Sequence, residues 1–149
     1  MRPVYILNGP NLNRLGVREP EIYGSMTLAQ IEEKCRNDFP GTEIVFRQTN
    51  SETQLIEWVH EATDNGSAII INPAAYTFTS IALLDALKMF KGPIIELHIS
   101  NVHRRESYYH KSYVSLIATA VIAGLGWRGY AVALRSVLDM LAEQGAKSA

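Results

Sequence analysis

The chain has 149 residues, 47% of them hydrophobic and 19% charged, and its 14 basic and 15 acidic side chains nearly cancel to a formal net charge of -1. A chain of this length buries roughly 68–70% of its unfolded surface, enough for a core without disulfide or metal staples. Its one cysteine, Cys35, excludes an intrachain disulfide and points to a reducing cytoplasm, and the balanced charge without a basic block speaks against nucleic acid or an anionic membrane as a partner. Two uncharged stretches, residues 65–84 and 112–127, do not read as membrane spans. The first is broken by Asn72-Pro73 and by Ser67, Thr77, Thr79 and Ser80, and the second is shorter than the ~20 residues a span needs. The apolar run near the N-terminus is too short for a signal peptide. Asn65-Gly66-Ser67, although a glycosylation sequon, reads as a turn.

Short β-rich apolar runs alternate with longer segments of helical period, which predicts βαβ units around a parallel sheet. The first strand covers residues 4–8 and leads into a loop over 9–25 rich in Gly, Pro, Asn and Arg. Thr27 and Gln30 have capping-box spacing ahead of Leu28, Ile31 and Cys35, so a helix runs to Asp38 and stops at Pro40-Gly41. The second strand spans 43–47. Ser51 and Gln54 give a second capping box, followed by a helical face of Leu55, Ile56, Val59 and Ala62 that ends at Asn65-Gly66.

The third strand is the β-branched run 68–71, and a helix starting at 79–81 carries Ala82, Leu83, Ala86 and Leu87 before Gly92-Pro93 breaks it. A fourth strand over 94–99, a polar loop, a fifth strand over 120–123 and a last helix over 130–143 complete the chain, with Val132, Leu134, Val137, Leu138 and Leu141 facing inward and 145–149 frayed. Five strands with helices on both faces predict one doubly wound α/β domain over 1–149, a flavodoxin-like parallel sheet in the order 2-1-3-4-5.

Ligands of such sheets bind beyond the carboxyl ends of the strands. That rule brings together Asn8, Asn11, Arg14, Arg18 and Tyr23 after the first strand, Asn72 after the third, and Glu96, His98, Ser100, Asn101, His103, Arg104 and Arg105 at the fourth. A loop as long as 9–25 in a compact domain is usually functional or disordered. Its tyrosine is a poor base as a neutral phenol, but an adjacent guanidinium favours the phenolate, and Arg18, five residues before Tyr23, is placed to supply that field. The residues alone also allow an ordinary binding loop. On the fourth strand the alternation puts Glu96, His98 and Ser100 on one face, where a carboxylate fixes the imidazole's tautomer and keeps it protonated for acid work. A solvated edge-strand face is the bland alternative.

Other motifs carry less. Gly124-Leu125-Gly126-Trp127-Arg128-Gly129 fits the dinucleotide fingerprint in letter, yet it follows the last strand and lacks a ribose-binding acid about 20 residues on, so it reads as a tight strand-to-helix turn. His98, His103 and His110 have no metal-ligand spacing, so no metal is expected. His60 is expected on an exposed helix face and Cys35 in the core.

Taken together, Asn8-Gly9-Pro10-Asn11-Leu12, Arg18-Glu19-Pro20, Tyr23-Gly24, Asn72-Pro73-Ala74-Ala75-Tyr76-Thr77, Glu96-Leu97-His98-Ile99-Ser100-Asn101-Val102-His103, Gly124-Leu125-Gly126 and Gly129-Tyr130 resemble type II 3-dehydroquinate dehydratase (type II dehydroquinase) over essentially the whole chain. The resemblance implies a cofactor-free anti elimination of water from 3-dehydroquinate through an enolate, giving 3-dehydroshikimate in the shikimate or quinate route. By the same resemblance Tyr23 takes the C2 proton with Arg18 as its cation, Asn11 holds a water at the enolate oxygen, and His98, oriented by Glu96, protonates the departing hydroxyl. Asn72 and the backbone amides of Ile99 and Ser100 hold the carboxylate, Arg105 belongs to the substrate-binding set, Asp85 reaches a neighbouring subunit's site, and the loop bearing Arg18 closes as a lid. The family also implies a cytoplasmic homo-oligomer, a dodecamer of trimers.

Two positions depart from that pattern. Phe78 stands where the resemblance implies a histidine and Tyr109 where it implies an arginine, both expected to touch ring hydroxyls. An unpaired hydroxyl costs about 1–3 kcal/mol, so a paralogue acting on a related cyclic hydroxy-ketone carboxylate is one alternative, and a non-catalytic binding module is another.

Overall fold

The protein is described from a computed structural model covering residues 1–17 and 19–148. Five parallel strands, β1 (Val4–Asn8), β2 (Ile44–Gln48), β3 (Ala68–Asn72), β4 (Ile94–His98) and β5 (Ala120–Ala123), form one sheet in the order β2-β1-β3-β4-β5, as the alternation of the sequence predicts. The helices are α1 (Pro20–Tyr23), α2 (Leu28–Asp38), α3 (Glu52–Asn65), α4 (Ile81–Leu87) and α5 (Arg128–Ser148).

Alternate residues of the inner strands feed two separate cores, because successive side chains on a strand point to opposite faces. Val4, Ile6, Ile70, Ile95 and Leu97 pack with Ile31 and Cys35 of α2 and Tyr130, Ala133, Leu134 and Val137 of α5. Tyr5, Leu7, Ile69, Ile71 and Ile94 pack with Leu55, Val59 and Ala62 of α3 and Leu83, Ala86 and Leu87 of α4. This parity decides where the polar strand ends point. Asn8 and Asn72, paired across β1 and β3, share the parity of the α5 side, whereas Glu96 and His98 share that of Ile94.

Local chemistry fixes the helix starts. Thr27 and Gln30 form the full capping box, with the Gln30 amide donating to Thr27 Oγ1 at 3.2 Å and the Thr27 amide to Gln30 Oε1 at 2.9 Å. At α3 only half the predicted box forms: the Gln54 amide donates to Ser51 Oγ, but the Ser51 amide is drawn to Thr49 Oγ1 at 3.0 Å instead. Ser80 caps α4 through the Leu83 amide at 2.9 Å.

Several bounds differ from the expectation. β2 is shifted one residue along, β3 runs one residue further and β4 stops at His98. The loop after β1 contains a 3-10 turn, Leu12–Arg14, as well as α1. Helix α5 begins at Arg128 and continues through 145–148, where fraying is the expectation: Gly145 lies inside the helix and is not left-handed, so it does not end the helix and costs only about 1 kcal/mol of helix propensity. Val132 is 42% exposed rather than inward, because the buried stripe is Tyr130, Ala133, Leu134 and Val137, at helical spacing.

Gly9 marks the closest backbone crossing. Its amide donates to Asn72 O at 2.8 Å, and a Cβ there would lie 2.7 Å from the Pro73 carbonyl carbon, closer still to its oxygen. Gly9→Ala should therefore push the Asn72–Ala74 corner away from β1 and lower unfolding stability by about 1–3 kcal/mol in urea titrations.

Candidate active site

The carboxyl ends of β1, β3 and β4 and the loops that follow them form a cleft. Of the residues singled out in the sequence, Asn11, Tyr23, Asn72, Phe78, His98, Ile99, Ser100, Arg105 and Tyr109 line it. Glu96 stands behind His98. Asp85 lies on the exposed side of α4 next to Lys88 at 3.8 Å, away from this cleft, and Arg18 lies outside the described residues. Arg14 is exposed on the loop, and Asn101 and Arg104 line a wider depression beside Tyr23 and Arg105.

β4 is an interior strand, flanked by β3 and β5, which removes the edge-strand alternative for its polar face. Glu96 and His98 are only 1% and 5% exposed. The His98 ring Nε2 lies 2.5 Å from Glu96 Oε2, and the Ser115 hydroxyl donates to Glu96 Oε1 at 2.5 Å. Burial pushes the Glu96 carboxyl up, but the hydrogen bonds from His98 and Ser115 and the charge of the His98 ring outweigh it and hold the group below its ordinary value of 4.5. Glu96 therefore acts as an anion that accepts from Nε2–H, which fixes how the ring stands. Ser115 is held in turn, since its amide donates to Ser112 Oγ, and that hydroxyl bonds Thr77 Oγ1 at 2.6 Å.

The opposite rim is built from amides. Tyr130, buried on α5, donates its hydroxyl to Asn8 Oδ1 at 2.6 Å and accepts from Asn72 Nδ2 at 3.3 Å. Asn8 Nδ2 donates to Arg47 O, and the Ala74 amide donates to Asn72 Oδ1. Two cleft residues hold left-handed backbone, Asn11 at φ 70° and Ala74 at φ 51°. For Ala74 that conformation carries a cost on the order of 1–3 kcal/mol, of the kind that binding sites store. The Asn11 amide is tied to Asn50 Oδ1 at 2.9 Å.

The remaining wall is aromatic. Phe78 stacks on His98 with centroids 6.0 Å apart and meets Tyr109 edge-on at 5.3 Å. The Arg105 guanidinium carbon lies 3.9 Å from the Tyr109 ring centroid and 5.7 Å from that of Tyr23. A chain of rings and one cation thus runs from His98 round to Tyr23.

The glycine-rich segment after β5 is the tight turn expected of it. Gly124, at φ 92°, and Gly126 donate their amides to His98 O and Ile99 O, pinning the end of β4. His103 and His110 have ring centroids 6.1 Å apart, and His98 is engaged with Glu96. His60 is exposed and Cys35 buried.

Over residues 2–138 the sequence matches the family model described as Dehydroquinase class II. The chain belongs to the class II dehydroquinase family. It is 56% identical over 137 residues to 3-dehydroquinate dehydratase 2 of Agrobacterium fabrum, covering 91% of this chain and 93% of that one. To the 3-dehydroquinate dehydratase of Streptomyces avermitilis it is 54% identical over 146 residues, 96% of this chain and 91% of the other. The crystal structure of type II dehydroquinase from Propionibacterium acnes superimposes with a TM-score of 0.88 at 42% identity, covering 92% of this chain and 96% of that one.

In this dehydroquinase fold, Ser115, Ser112, Tyr130 and the side-chain role of Asn8 were missed by reasoning from the sequence. They support Glu96 or Asn72 from 16 or more residues away along the chain, a separation no local motif reports. The Glu96 carboxyl also makes a prediction. Its value in the fold lies below the ordinary one, so its contribution to stability is complete above pH 4.5 and is lost as pH falls through the lowered value. Urea-unfolding free energies taken from about pH 6 to about pH 3 should fall more steeply for the wild type than for Glu96→Gln.

Proposed function

We propose that the protein is a hydro-lyase that eliminates water from 3-dehydroquinate to give 3-dehydroshikimate, as its relatives' names describe, within the shikimate or quinate route. The observation that carries the mechanism is that Tyr23 and the Glu96-held His98 line one cleft. The Tyr23 phenolate takes the C2 proton, with the Arg18 guanidinium, five residues earlier in the chain, as its cationic partner. The electron pair of the broken C–H bond moves toward the carbonyl as an enolate, and Asn11 holds a water against the oxygen where charge develops.

As the enolate collapses, the C1–C2 double bond forms, the C1–O bond breaks, and His98 gives its proton to the departing hydroxyl, which leaves as water. Glu96 keeps the imidazole oriented and charged for that step. Asn72 and the backbone of Ile99 and Ser100 hold the carboxylate, and Arg105 closes the mouth of the site. The reaction needs no cofactor or metal, because a positioned base, a positioned acid and fixed donors supply what an enolate requires. The catalytic domain spans the whole chain, and it works in the cytoplasm as trimers assembled into a dodecamer, with Asp85 serving the adjacent subunit. Among the described residues no helix is long and apolar enough to cross a membrane.

Mixing the protein with 3-dehydroquinate should raise the ultraviolet absorbance of the conjugated product, and absence of turnover would refute the substrate. Tyr23→Phe should lower kcat by about 10²–10⁴-fold while substrate still binds; a non-catalytic binding module would show binding and no turnover in either form.

The aromatic wall favours a second reading, in which the same chemistry serves a ring with fewer hydroxyls. Phe78 stacked on His98 gives an incoming hydroxyl no hydrogen bond. The double change Phe78→His with Tyr109→Arg should then lower KM for 3-dehydroquinate by about tenfold or more; unchanged kinetics count for the principal substrate.

A further inference from the structure

We infer that Tyr130 is a positioning residue: its hydroxyl, together with the Ala74 amide, holds the Asn72 side chain one way round, so that the Asn72 corner of the cleft offers a hydrogen-bond donor and selects an anionic group over a neutral one of the same shape. This deepens the proposed function and rests on its placing of the carboxylate at Asn72.

The direction of every bond in this chain is forced by its two ends. Arg47 O is a carbonyl and can only accept, so Asn8 must turn its Nδ2 toward it at 3.1 Å and its Oδ1 toward Tyr130. Asn8 Oδ1 can only accept, so the Tyr130 hydroxyl must donate, at 2.6 Å. That spends the phenol's single proton and leaves its oxygen to accept from Asn72 Nδ2. At the far end the Ala74 amide can only donate, and it occupies Asn72 Oδ1 at 3.3 Å. Asn72 is therefore read the same way from both sides, and the second N–H of Nδ2 is left free to donate into the cleft. Burial holds the Tyr130 phenol far above its ordinary range, which keeps it a neutral donor across the working pH range.

Without the hydroxyl, one buried acceptor and one buried donor lose their partners. The Asn72 amide is then held only by the Ala74 amide at 3.3 Å, and at the loss of that one bond it can turn over and present its oxygen to the cleft, where a carboxylate is repelled and a neutral ester is not. A role limited to packing would instead weaken both ligands alike, or only lower the melting temperature.

The test compares cyclohex-1-ene-1-carboxylate with its methyl ester by NMR titration of the wild type, Tyr130→Phe and Asn8→Ala, with circular dichroism to verify folding. The wild type should prefer the carboxylate, and Tyr130→Phe should cut that preference about tenfold with little change for the ester. Asn8→Ala, which frees the Tyr130 proton, should act in the same direction. With 3-dehydroquinate, Tyr130→Phe should raise KM more than it lowers kcat. A wild type indifferent to the charge, or a preference unchanged in both variants, overturns the inference. A wild type that fails to turn over 3-dehydroquinate yet loses its carboxylate preference in Tyr130→Phe refutes the reaction and leaves the inference standing.

Discussion

The chemistry depends on a charge kept inside the sheet. A carboxylate in the middle of an interior strand is costly unless it is paired and hydrogen-bonded. Glu96 meets that condition with His98 on one oxygen and Ser115 on the other. The pairing is set by β-strand geometry, since residues two apart project on the same face. It leaves the imidazole at the sheet's carboxyl rim with one nitrogen committed and its ring turned to the cleft. The turn after β5, whose amides bind His98 O and Ile99 O, holds the end of that strand against the same rim.

The sheet is largely legible in the sequence. Runs such as Ala68-Ile69-Ile70-Ile71 and Val4-Tyr5-Ile6-Leu7 are apolar throughout because both faces are covered, and their spacing by capped helices implies parallel order. Thr27 announced its helix, with Gln30 three residues on. Ser80 did not, because Leu83 stands in the place of a reciprocating Glu or Gln and only the one-sided cap forms. The end of α5 was misread for a related reason: Gly145 looks like a stop signal, but a glycine halts a helix only where the backbone turns left-handed.

The site was legible in part. Residues that close a strand, such as Asn72 and His98, could be placed from topology alone. The sequence also named Phe78 and Tyr109 but not the contacts their rings make with each other and with His98. Their rings meet across two separate 3-10 turns, Ala74–Phe78 and Ser107–Tyr109, and stacking between loops follows no period. Tyr130 was hidden in another way. It occupies a buried position in a regular apolar stripe, and only its hydroxyl, 122 residues from Asn8 in sequence, distinguishes it from core.

The division of labour between sheet and turns has an evolutionary consequence. Glu96, His98, Asn72 and Asn8 sit on strands whose positions the whole core enforces, whereas Phe78 and Tyr109 sit on brief connectors that bear little of the packing load. Substitutions at the connectors can redraw the outline of the cleft while the Glu96–His98 pair stays in register, so a lineage with this architecture can vary the shape of the pocket without disturbing the strand-borne groups beneath it.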